Sequence, residues 1–158
     1  MSRGDEIQLV TFRLGGHELA FNVFEVERVL RYEEPTPLPD SPDYLLGTLR
    51  YGSEVVPVVD LRKRLRVPAA VEDVTRIIVV QWEHGRLGAV VDAVLEVTKV
   101  TVNDIVPPPQ FVKGLAAECV GGIVSAGDRT IVVLAVARLL ASTEQLALDA
   151  LMAEIPHG

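Results

Sequence analysis

The chain has 158 residues, 49% of them hydrophobic, and a formal net charge of −7 at pH 7, which suits one domain or two small barrels that share a core. The acidic balance would repel phosphate backbones and the 5% aromatic content is low for base stacking, so nucleic acid is not an expected partner. The sequence shows neither a signal-peptide pattern nor an apolar run of about 18–20 residues, so we expect a cytoplasmic protein without direct membrane insertion.

The N-terminal segment is predicted to be a β-hairpin, because two apolar runs, IQLVTFRL and HELAFNV, flank the dipeptide Gly15-Gly16. The next residues, FNVFEVERVL, carry apolar residues at helical spacing, but a proline-rich segment follows at residues 33–42. Proline cannot continue a helix, so we predict at most one helical turn and then a strand. The proline-rich segment is predicted to be an ordered surface loop.

The stretch GTLRYGSEVVPVVDLRKRL, residues 47–65, is predicted to be a strand followed by a short helical turn. Pro57 lies inside the strand and cannot donate a hydrogen bond to a neighbour, so we predict that this strand has a free edge. Asp60 is placed to cap the turn. The basic residues that follow admit two interpretations, a solvated face or a local patch for an acidic partner: Arg62, Lys63, Arg64 and Arg66.

Further strands are predicted at RIIVVQW and RLGAVVDAVLEV, and a second proline loop, IVPPPQFVKG, leads to the segment ECVGGIVSAGDRTIVVLAVARLL. Cys119 in this segment is expected to be a buried apolar residue, because it lies among alanine and valine and has no cysteine partner. A C-terminal helix is predicted over residues 142–155, with Leu146, Ala150 and Leu151 on one face. This helix packs across a barrel or, alternatively, binds a partner.

The segment that begins at residue 47 has an echo 75 positions later. The shift pairs Gly47 with Gly122 and Gly52 with Gly127, and both copies continue into a valine-rich strand and a short turn. Such a repeat indicates two similar substructures, each too small to bury a good core alone and packed against each other. A chance match between two valine-rich strands is the alternative explanation.

The sequence gives little support for catalysis. The histidines, His17, His84 and His157, lack the spacing of a metal site, and neither a nucleophile elbow nor a phosphate-binding loop is found. Asp60 and Asp92 both follow paired valines, and two aspartates at strand ends are able in principle to share a proton, as in a hydrolase. The alternative is a cap and a turn residue. We therefore expect no enzyme, no metal and no cofactor.

An ordered series of motifs resembles the CheW family of bacterial chemotaxis coupling proteins, from about residue 7 to residue 141. The motifs are LVTFRLGGHELAFNV, PDSPDYLLG, VVPVVDLRKRL, RIIVVQ, GAVVDAVLEV, IVPPP and GDRTIVVLAVARLL. The resemblance implies a mainly β fold: two SH3-like five-stranded β-barrels packed around a shared core, with short helices and a C-terminal helix. It implies one domain over residues 1–158, with a first barrel at about 17–80, a second at about 84–141, and an N-terminal strand that is a candidate for exchange between them.

The resemblance also implies a non-enzymatic adaptor. Members of the family bind the cytoplasmic tip of chemoreceptors and the regulatory domain of a chemotaxis-type histidine kinase, so that receptor state controls kinase activity in a signalling array. Our main hypothesis is therefore a cytoplasmic adaptor recruited to such arrays. Two alternatives remain open: an accessory array protein that has lost one of the two contacts, and a β-barrel module that senses a small ligand.

The same resemblance assigns partner-binding residues on the first barrel and near the groove between the barrels: Val26, Arg28, Gly47, Gly52, Ser53, Val90, Val91 and Val112. Structural roles are the alternative for the valines and glycines. The chain departs from the family where Arg28 replaces a glutamate, and where Gly52 and Ser53 replace an arginine and a glycine. Such changes turn complementary contacts into repulsive or empty ones unless the partner compensates. Arg50 is a candidate for a displaced cation, and Ala135 replaces an aspartate expected to cap a turn.

Overall fold

The computed structural model describes residues 5–67, 74–82, 85–107 and 119–139. The strands of this part of the chain are β1 Glu6–Leu14, β2 His17–Asn22, β3 Val26–Arg31, β4 Leu45–Tyr51, β5 Glu54–Asp60, β6 Arg76–Trp82, β7 Gly85–Val91, β8 Ala93–Thr101, β9 Val120–Ala126 and β10 Arg129–Leu134. Helical structure in the same ranges consists of single turns: the α-helical turn α1 Leu61–Arg64, and 3₁₀ turns at Val23–Glu25, Val102–Asp104 and Val136–Arg138.

The strands form two five-stranded sheets. The first, in the order β3-β6-β7-β5-β4, is barrel 1, and the second, in the order β8-β1-β2-β10-β9, is barrel 2. Barrel 1 is built from five strands that are consecutive in the chain, β3 to β7, whereas barrel 2 combines β8, β9 and β10 with the N-terminal hairpin β1–β2. The predicted mainly β fold with two five-stranded barrels is confirmed. The predicted helix over residues 142–155 lies outside the described residues.

The barrel boundaries predicted from the sequence differ from the observed sheets. The range 17–80 assigns β2 to the first barrel, but β2 pairs with β1 and β10 in barrel 2. The range 84–141 assigns β7 to the second barrel, but β7 lies between β6 and β5 in barrel 1. The difference arises because an apolar pattern identifies a hairpin but not the sheet that it joins. Each hairpin therefore stays intact, and β1 and β2 cross into barrel 2 together.

Each sheet is closed by a short bridge at the same place. In barrel 1, Thr36 and Thr48 exchange backbone hydrogen bonds of 2.9 and 2.8 Å, which joins the segment after β3 to β4. In barrel 2, Val106 and Ile123 exchange bonds of 2.9 and 2.8 Å, which joins the segment after β8 to β9. The two bridges protect the sheet edges that β4 and β9 would otherwise expose.

Pro57 lies in β5, and the prediction of a free edge for this strand is wrong, because β5 has β4 on one side and β7 on the other. Pro57 lies opposite Thr48 of β4. The backbone N–H and carbonyl of Thr48 bond to Thr36, on the side of β4 away from β5, so Thr48 needs no N–H from residue 57. The ladder with β7 starts one residue later, at Val58. An internal strand thus tolerates the proline because neither neighbouring ladder needs the missing donor.

Three apolar clusters are formed by the residues that the structure describes. The largest draws side chains from both barrels and forms the shared core; its Phe12 and Phe21 rings, from barrel 2, lie 5.1 Å apart between centroids. Each barrel also has a smaller core of its own: Leu49, Val58, Ile77 and Val90 in barrel 1, and Leu9, Ala20, Val100, Val124 and Ile131 in barrel 2. Burial of such side chains stabilises the fold by about 1.5–3 kcal/mol each.

The local predictions at two turns agree with the structure. A single 3₁₀ turn follows β2, where the Asn22 side chain accepts a hydrogen bond of 3.0 Å from the Phe24 N–H, and β3 begins directly after it. Asp60 caps α1, because its carboxylate accepts from the Arg62 N–H at 3.0 Å. The corresponding turn of barrel 2 starts at Ala135 and has no side-chain cap.

Candidate partner-binding site

The exposed end of barrel 1 is where β4 turns into β5. Tyr51 pairs with Glu54, and the two-residue loop between them consists of Gly52 and Ser53, both exposed. Gly52 has a φ of 62°, which favours glycine at the first position of such a loop. We call the surface formed by this loop and its neighbours the barrel 1 tip, and it consists of Glu27, Arg28, Tyr51, Gly52, Ser53, Glu54 and Arg86.

Arg86 of β7 is the centre of the tip. Its Nε donates to both carboxylate oxygens of Glu27, at 2.9 and 2.8 Å, and its Nη1 donates to Glu54. The guanidinium also lies 5.9 Å from the centroid of the Tyr51 ring, within the range of a cation–π contact. One cation therefore joins β3, β5 and β4 at this end of the barrel.

The hydrogen bonds of the tip shift the pKa values of its members. The pKa of Glu27 is lowered, first by its hydrogen bond with Arg86 and next by its hydrogen bond with Tyr51. The pKa of Tyr51 is raised, mainly because its hydroxyl bonds to the Glu27 carboxylate. The pKa of Arg86 is raised by its hydrogen bonds with Glu27 and Glu54. Glu27 is therefore held as a carboxylate and Tyr51 as a neutral donor.

A β-bulge in β3 sets the positions of the charged residues on this strand. Val26 pairs with Val80 of β6 and Arg28 pairs with Val79, which leaves Glu27 without an opposite residue. Bulges of this kind re-aim the extra side chain, and here Glu27 contacts Arg86. Arg28 is exposed. The bulge thus separates a paired carboxylate from a neighbouring cation that faces solvent.

The other assigned residues on the first barrel lie below the tip. Val26 is half-buried and packs against the shared core. Gly47 is buried with a φ of 146°, and a Cβ there would overlap the backbone of Thr36 in the segment that closes the barrel. These two positions therefore support the tip and the closure of barrel 1.

The residues assigned to the groove have different placements. Val90 belongs to the small core of barrel 1 and Val91 to the shared core, and both have no exposed surface. Neither presents a side chain to a partner in this structure. Val112 lies outside the described residues. Arg28, Gly52 and Ser53 are thus exposed, whereas the two valines lie inside.

Barrel 2 carries a related ion cluster with reversed charges. In barrel 2, Arg129 is the first residue of β10 and Glu18 is the second residue of β2. The corresponding positions of barrel 1 hold Glu54, the first residue of β5, and Arg86, the second residue of β7. Arg129 bonds to Glu18, with one distance of 3.0 Å, and lies 2.7 Å from a carboxylate oxygen of Glu96. In both barrels one arginine therefore binds a carboxylate across the parallel strand pair and a second carboxylate on another strand, but the arginine stands on opposite members of that pair.

The two aspartates considered for acid–base chemistry are bound to one arginine. Arg62 donates from Nε to Asp60 at 2.9 Å, and its Nη1 lies 3.5 Å from Asp92. Asp92 also accepts the backbone N–H of Gly15 at 2.7 Å. The carboxylates thus act as hydrogen-bond acceptors in a structural network, which agrees with the cap and turn interpretation. Arg62 itself is buried, so the basic run is not simply a solvated face.

Several tip residues were not identifiable from the sequence. The contact between Glu27 and Arg86 spans 59 positions, and no local pattern signals a pair so far apart. Phe24 is 81% exposed in the turn before β3, and no sequence pattern singled it out. The adjacent Arg28 was the available signal for this region, because it departs from the family pattern.

The comparisons with known proteins agree with the fold. The sequence model of the CheW-like domain matches residues 8–144. The chain is 30% identical over 145 residues to the probable chemotaxis protein CheW of Rhizobium etli, with 91% of this chain and 93% of that protein covered. It is 31% identical over 144 residues to protein FrzA of Myxococcus xanthus, with 90% of each covered. The crystal structure of the scaffolding protein TtCheW from Thermoanaerobacter tengcongensis matches with a TM-score of 0.81 at 27% identity, over 91% of this chain and 92% of that one.

Two barrels around a shared core, an exposed charged tip and these similarities define an adaptor of chemotaxis signalling, a class of protein that acts through its binding surfaces. The chain belongs to the CheW-like domain family, because the family match spans most of its length and relatives of 30% identity or more cover about nine tenths of it. Within the described ranges, no helix has the length and apolar character needed to cross a membrane.

Proposed function

We propose that the chain is a cytoplasmic, non-enzymatic adaptor that binds the tip of chemoreceptors and the regulatory domain of a chemotaxis-type histidine kinase within a signalling array. The observation that carries this proposal is the barrel 1 tip, where Arg28, Gly52 and Ser53 are all exposed and the charge of Arg28 acts on Tyr51, the residue before the loop. The similarity to a protein described as a scaffold supports a role in assembly. Exposed loops on a rigid barrel are well suited to such contacts.

A carboxylate and a guanidinium are both present at the tip, but at other positions than in the family pattern, and they bind each other. The family pattern calls for a glutamate at position 28 and an arginine at position 52. Here the bulge presents a carboxylate one residue earlier, at Glu27, and Arg86 supplies a guanidinium beside Tyr51. Because these two groups bind each other, the preference for an adaptor over an accessory protein rests on the similarity to CheW proteins over nearly their whole length.

Arg28 adds a positive charge where the family pattern has a glutamate. It is exposed, and the negative charge of the adjacent Glu27 is bound by Arg86. A partner that meets Arg28 is therefore expected to present an acidic residue where the partners of typical family members meet a glutamate. Complementary charges of this kind set partner choice and the rate of association.

The small-ligand alternative has less support. The two groove residues that the structure describes, Val90 and Val91, are buried in apolar cores. A ligand at these residues would have to displace close-packed side chains, at a cost comparable to that of disturbing a core. No observation in the described ranges favours this function over the adaptor.

The proposed function is tested with the full chain and, separately, with the receptor tip and the kinase regulatory domain from the same organism. Isothermal titration calorimetry of each pair is expected to show binding to both. Binding to neither would overturn the proposal, and binding to only one would establish the accessory role instead. Repeating the titrations at higher salt is expected to weaken the contact that involves Arg28.

The role of Arg28 is tested with Arg28→Glu. We expect affinity for one of the two partners to fall about tenfold, or about 1.4 kcal/mol. Lys99→Glu is the matched control, because Lys99 is exposed on β8 of barrel 2 and the change in net charge is the same. Equal losses of affinity in the two variants would show that net charge alone causes the effect and that Arg28 does not contact the partner.

A further inference from the structure

The basic turn after β5 is directed at the other barrel. Arg62, in α1, is only 4% exposed, and a charged side chain so deeply buried requires close partners. Its Nε and Nη2 donate to the two oxygens of Asp60 at 2.9 and 3.2 Å, which fixes the guanidinium in a bidentate geometry. Burial lowers the pKa of Arg62, but the hydrogen bonds and charges of Asp60 and Asp92 outweigh it and raise that pKa, so the group stays charged.

Asp92 carries the contact from barrel 1 to barrel 2. It lies at the crossing between β7 and β8, where the chain passes from one sheet to the other. One carboxylate oxygen is 3.5 Å from Nη1 of Arg62, and the other accepts the N–H of Gly15 at 2.7 Å. The N–H of Asp92 donates to the carbonyl of Arg13 at 3.0 Å. A guanidinium of barrel 1 is thus connected through one carboxylate to the β1–β2 hairpin of barrel 2.

The same turn reaches barrel 2 at further points. Arg64 donates from Nε to the carbonyl of Leu139, 2.6 Å away, beyond β10. Its guanidinium also lies 5.5 Å from the centroid of the Tyr44 ring, next to β4 of barrel 1. Val67, just after α1, fills the space above Gly15, where an added Cβ would collide with it.

We propose that α1 is a clamp that fixes the orientation of the two barrels, with Arg62, Arg64 and Asp92 as its positioning residues. The shared core holds the barrels together, but apolar burial has no preferred direction. Charge-assisted hydrogen bonds have a fixed geometry and supply the direction that the core lacks. The clamp thereby sets how the two barrels face each other.

The clamp is tested by measuring a distance between the barrels. Nitroxide labels are placed at Ser53 of barrel 1 and Ser125 of barrel 2, both exposed, in a chain whose buried Cys119 is replaced by alanine. Pulsed electron double resonance is expected to give one narrow distribution. Asp92→Ala and Arg64→Met are each expected to broaden or shift it, because the apolar core remains and only the directional contacts are lost.

Controls separate the clamp from general loss of structure. Asp128→Ala removes an exposed carboxylate from a turn of barrel 2 and is expected to leave the distribution unchanged. Circular dichroism establishes that each variant is folded. If Asp92→Ala does not fold, Asp92→Asn replaces it, since an amide oxygen still accepts from Gly15 while the charge facing Arg62 is gone. An unchanged narrow distribution in both the Asp92 variant and Arg64→Met would overturn the proposal.

A binding measurement extends the test and rests on the proposed function. If receptors dock between the barrels, the Asp92 variant is expected to bind the receptor tip about fivefold or more weakly, while affinity for a partner held by barrel 1 alone changes less than about twofold. The distance measurement needs no partner. A broadened distribution in a chain that binds neither partner would therefore support the clamp and overturn only the adaptor role.

Discussion

Gly47 of β4 and Gly122 of β9 occupy the same position in the two barrels, and each leaves room for the segment that closes its sheet. A Cβ at Gly47 would lie 2.5 Å from the carbonyl carbon of Thr36, and a Cβ at Gly122 would lie 2.5 Å from Cγ2 of Ile105. The first glycine of the 75-residue repeat therefore serves closure of the sheet. The second, Gly52 or Gly127, has a φ of 62° or 66° and serves the hairpin turn.

Gly47→Ala is expected to destabilise the protein more than Gly122→Ala. At Gly47 the obstacle is backbone and φ is 146°, so overlap and strain add to roughly 2–5 kcal/mol. At Gly122 the obstacle is mainly a side chain that is able to move, so we expect about 1–3 kcal/mol. Gly52→Ala is the control, with open space around it and a cost of about 1–2 kcal/mol from its positive φ.

Urea unfolding of the three variants measures this order. A Gly47→Ala variant as stable as Gly52→Ala would show that the closing bridge yields easily and that the glycine is not required there. The result also bears on binding, because Gly47 was assigned to the partner-binding surface. If Gly47→Ala loses a partner in proportion to its loss of folded protein, the role of this residue is structural.

The ion pair at the tip is expected to give stability that depends on pH. The pKa of Glu27 is lowered by Arg86 and Tyr51 in the folded state, and its value in the unfolded chain is about 4.3. Its contribution is therefore fully present above pH 4.3 or so and disappears as the pH falls through the lower folded pKa. Glu27→Gln should thus be less stable than the native chain at pH 6, and the difference should vanish in strong acid.

Unfolding midpoints of the two proteins across this pH range check the sign of the effect. A difference that grows as the pH falls would mean that Glu27 has a raised pKa, contrary to the geometry. The control is Ser53→Ala, which changes an exposed, uncharged residue of the same tip. Its difference in unfolding midpoint from the native chain should not vary with pH.

Tyr51 reports on the same contact from the alkaline side. Because the hydrogen bond to Glu27 is the main cause of its raised pKa, Glu27→Gln should lower that pKa toward the ordinary value for tyrosine. Ultraviolet titration of the phenolate, with Tyr51→Phe to assign the signal, measures the shift. Tyr32, whose pKa is raised chiefly by burial, should be unaffected. If the pKa of Tyr51 is unchanged in Glu27→Gln, its hydroxyl does not bond to the Glu27 carboxylate.

Local features of this fold were predictable from the sequence. The hairpin at Gly15-Gly16, the single turn after β2 and the cap at Asp60 each depend on residues close in the chain. The repeat was visible because each glycine meets the same steric demand in both barrels. Short-range turn geometry and spacing leave a pattern that one sequence displays.

The pairing of distant segments was not predictable. The strand with Pro57 was expected at an edge, but its missing donor falls where neither ladder needs one. Arg62 resembled part of a solvated basic run, yet its partner Asp92 lies 30 positions away. The tip likewise depends on Arg86, whose contact with Glu27 follows from a bulge and a hairpin that meet only in the folded sheet.

Because the two ion clusters have their charges in reverse order, we expect barrel 2 to stay folded when the charges of its cluster are exchanged to match barrel 1. Arg129→Glu alone would gather three carboxylates, and Glu18→Arg alone would place two cations together, so each is expected to lower the urea midpoint. The double variant Glu18→Arg with Arg129→Glu recreates the order of barrel 1, in which an arginine on the hairpin strand meets two glutamates, and should recover most of the loss. Lys99→Glu, which changes the net charge by the same amount as Arg129→Glu but outside the cluster, is the control for that variant. The coupling measured in a double-mutant cycle should shrink at high salt, and losses that simply add would contradict the equivalence of the two sites.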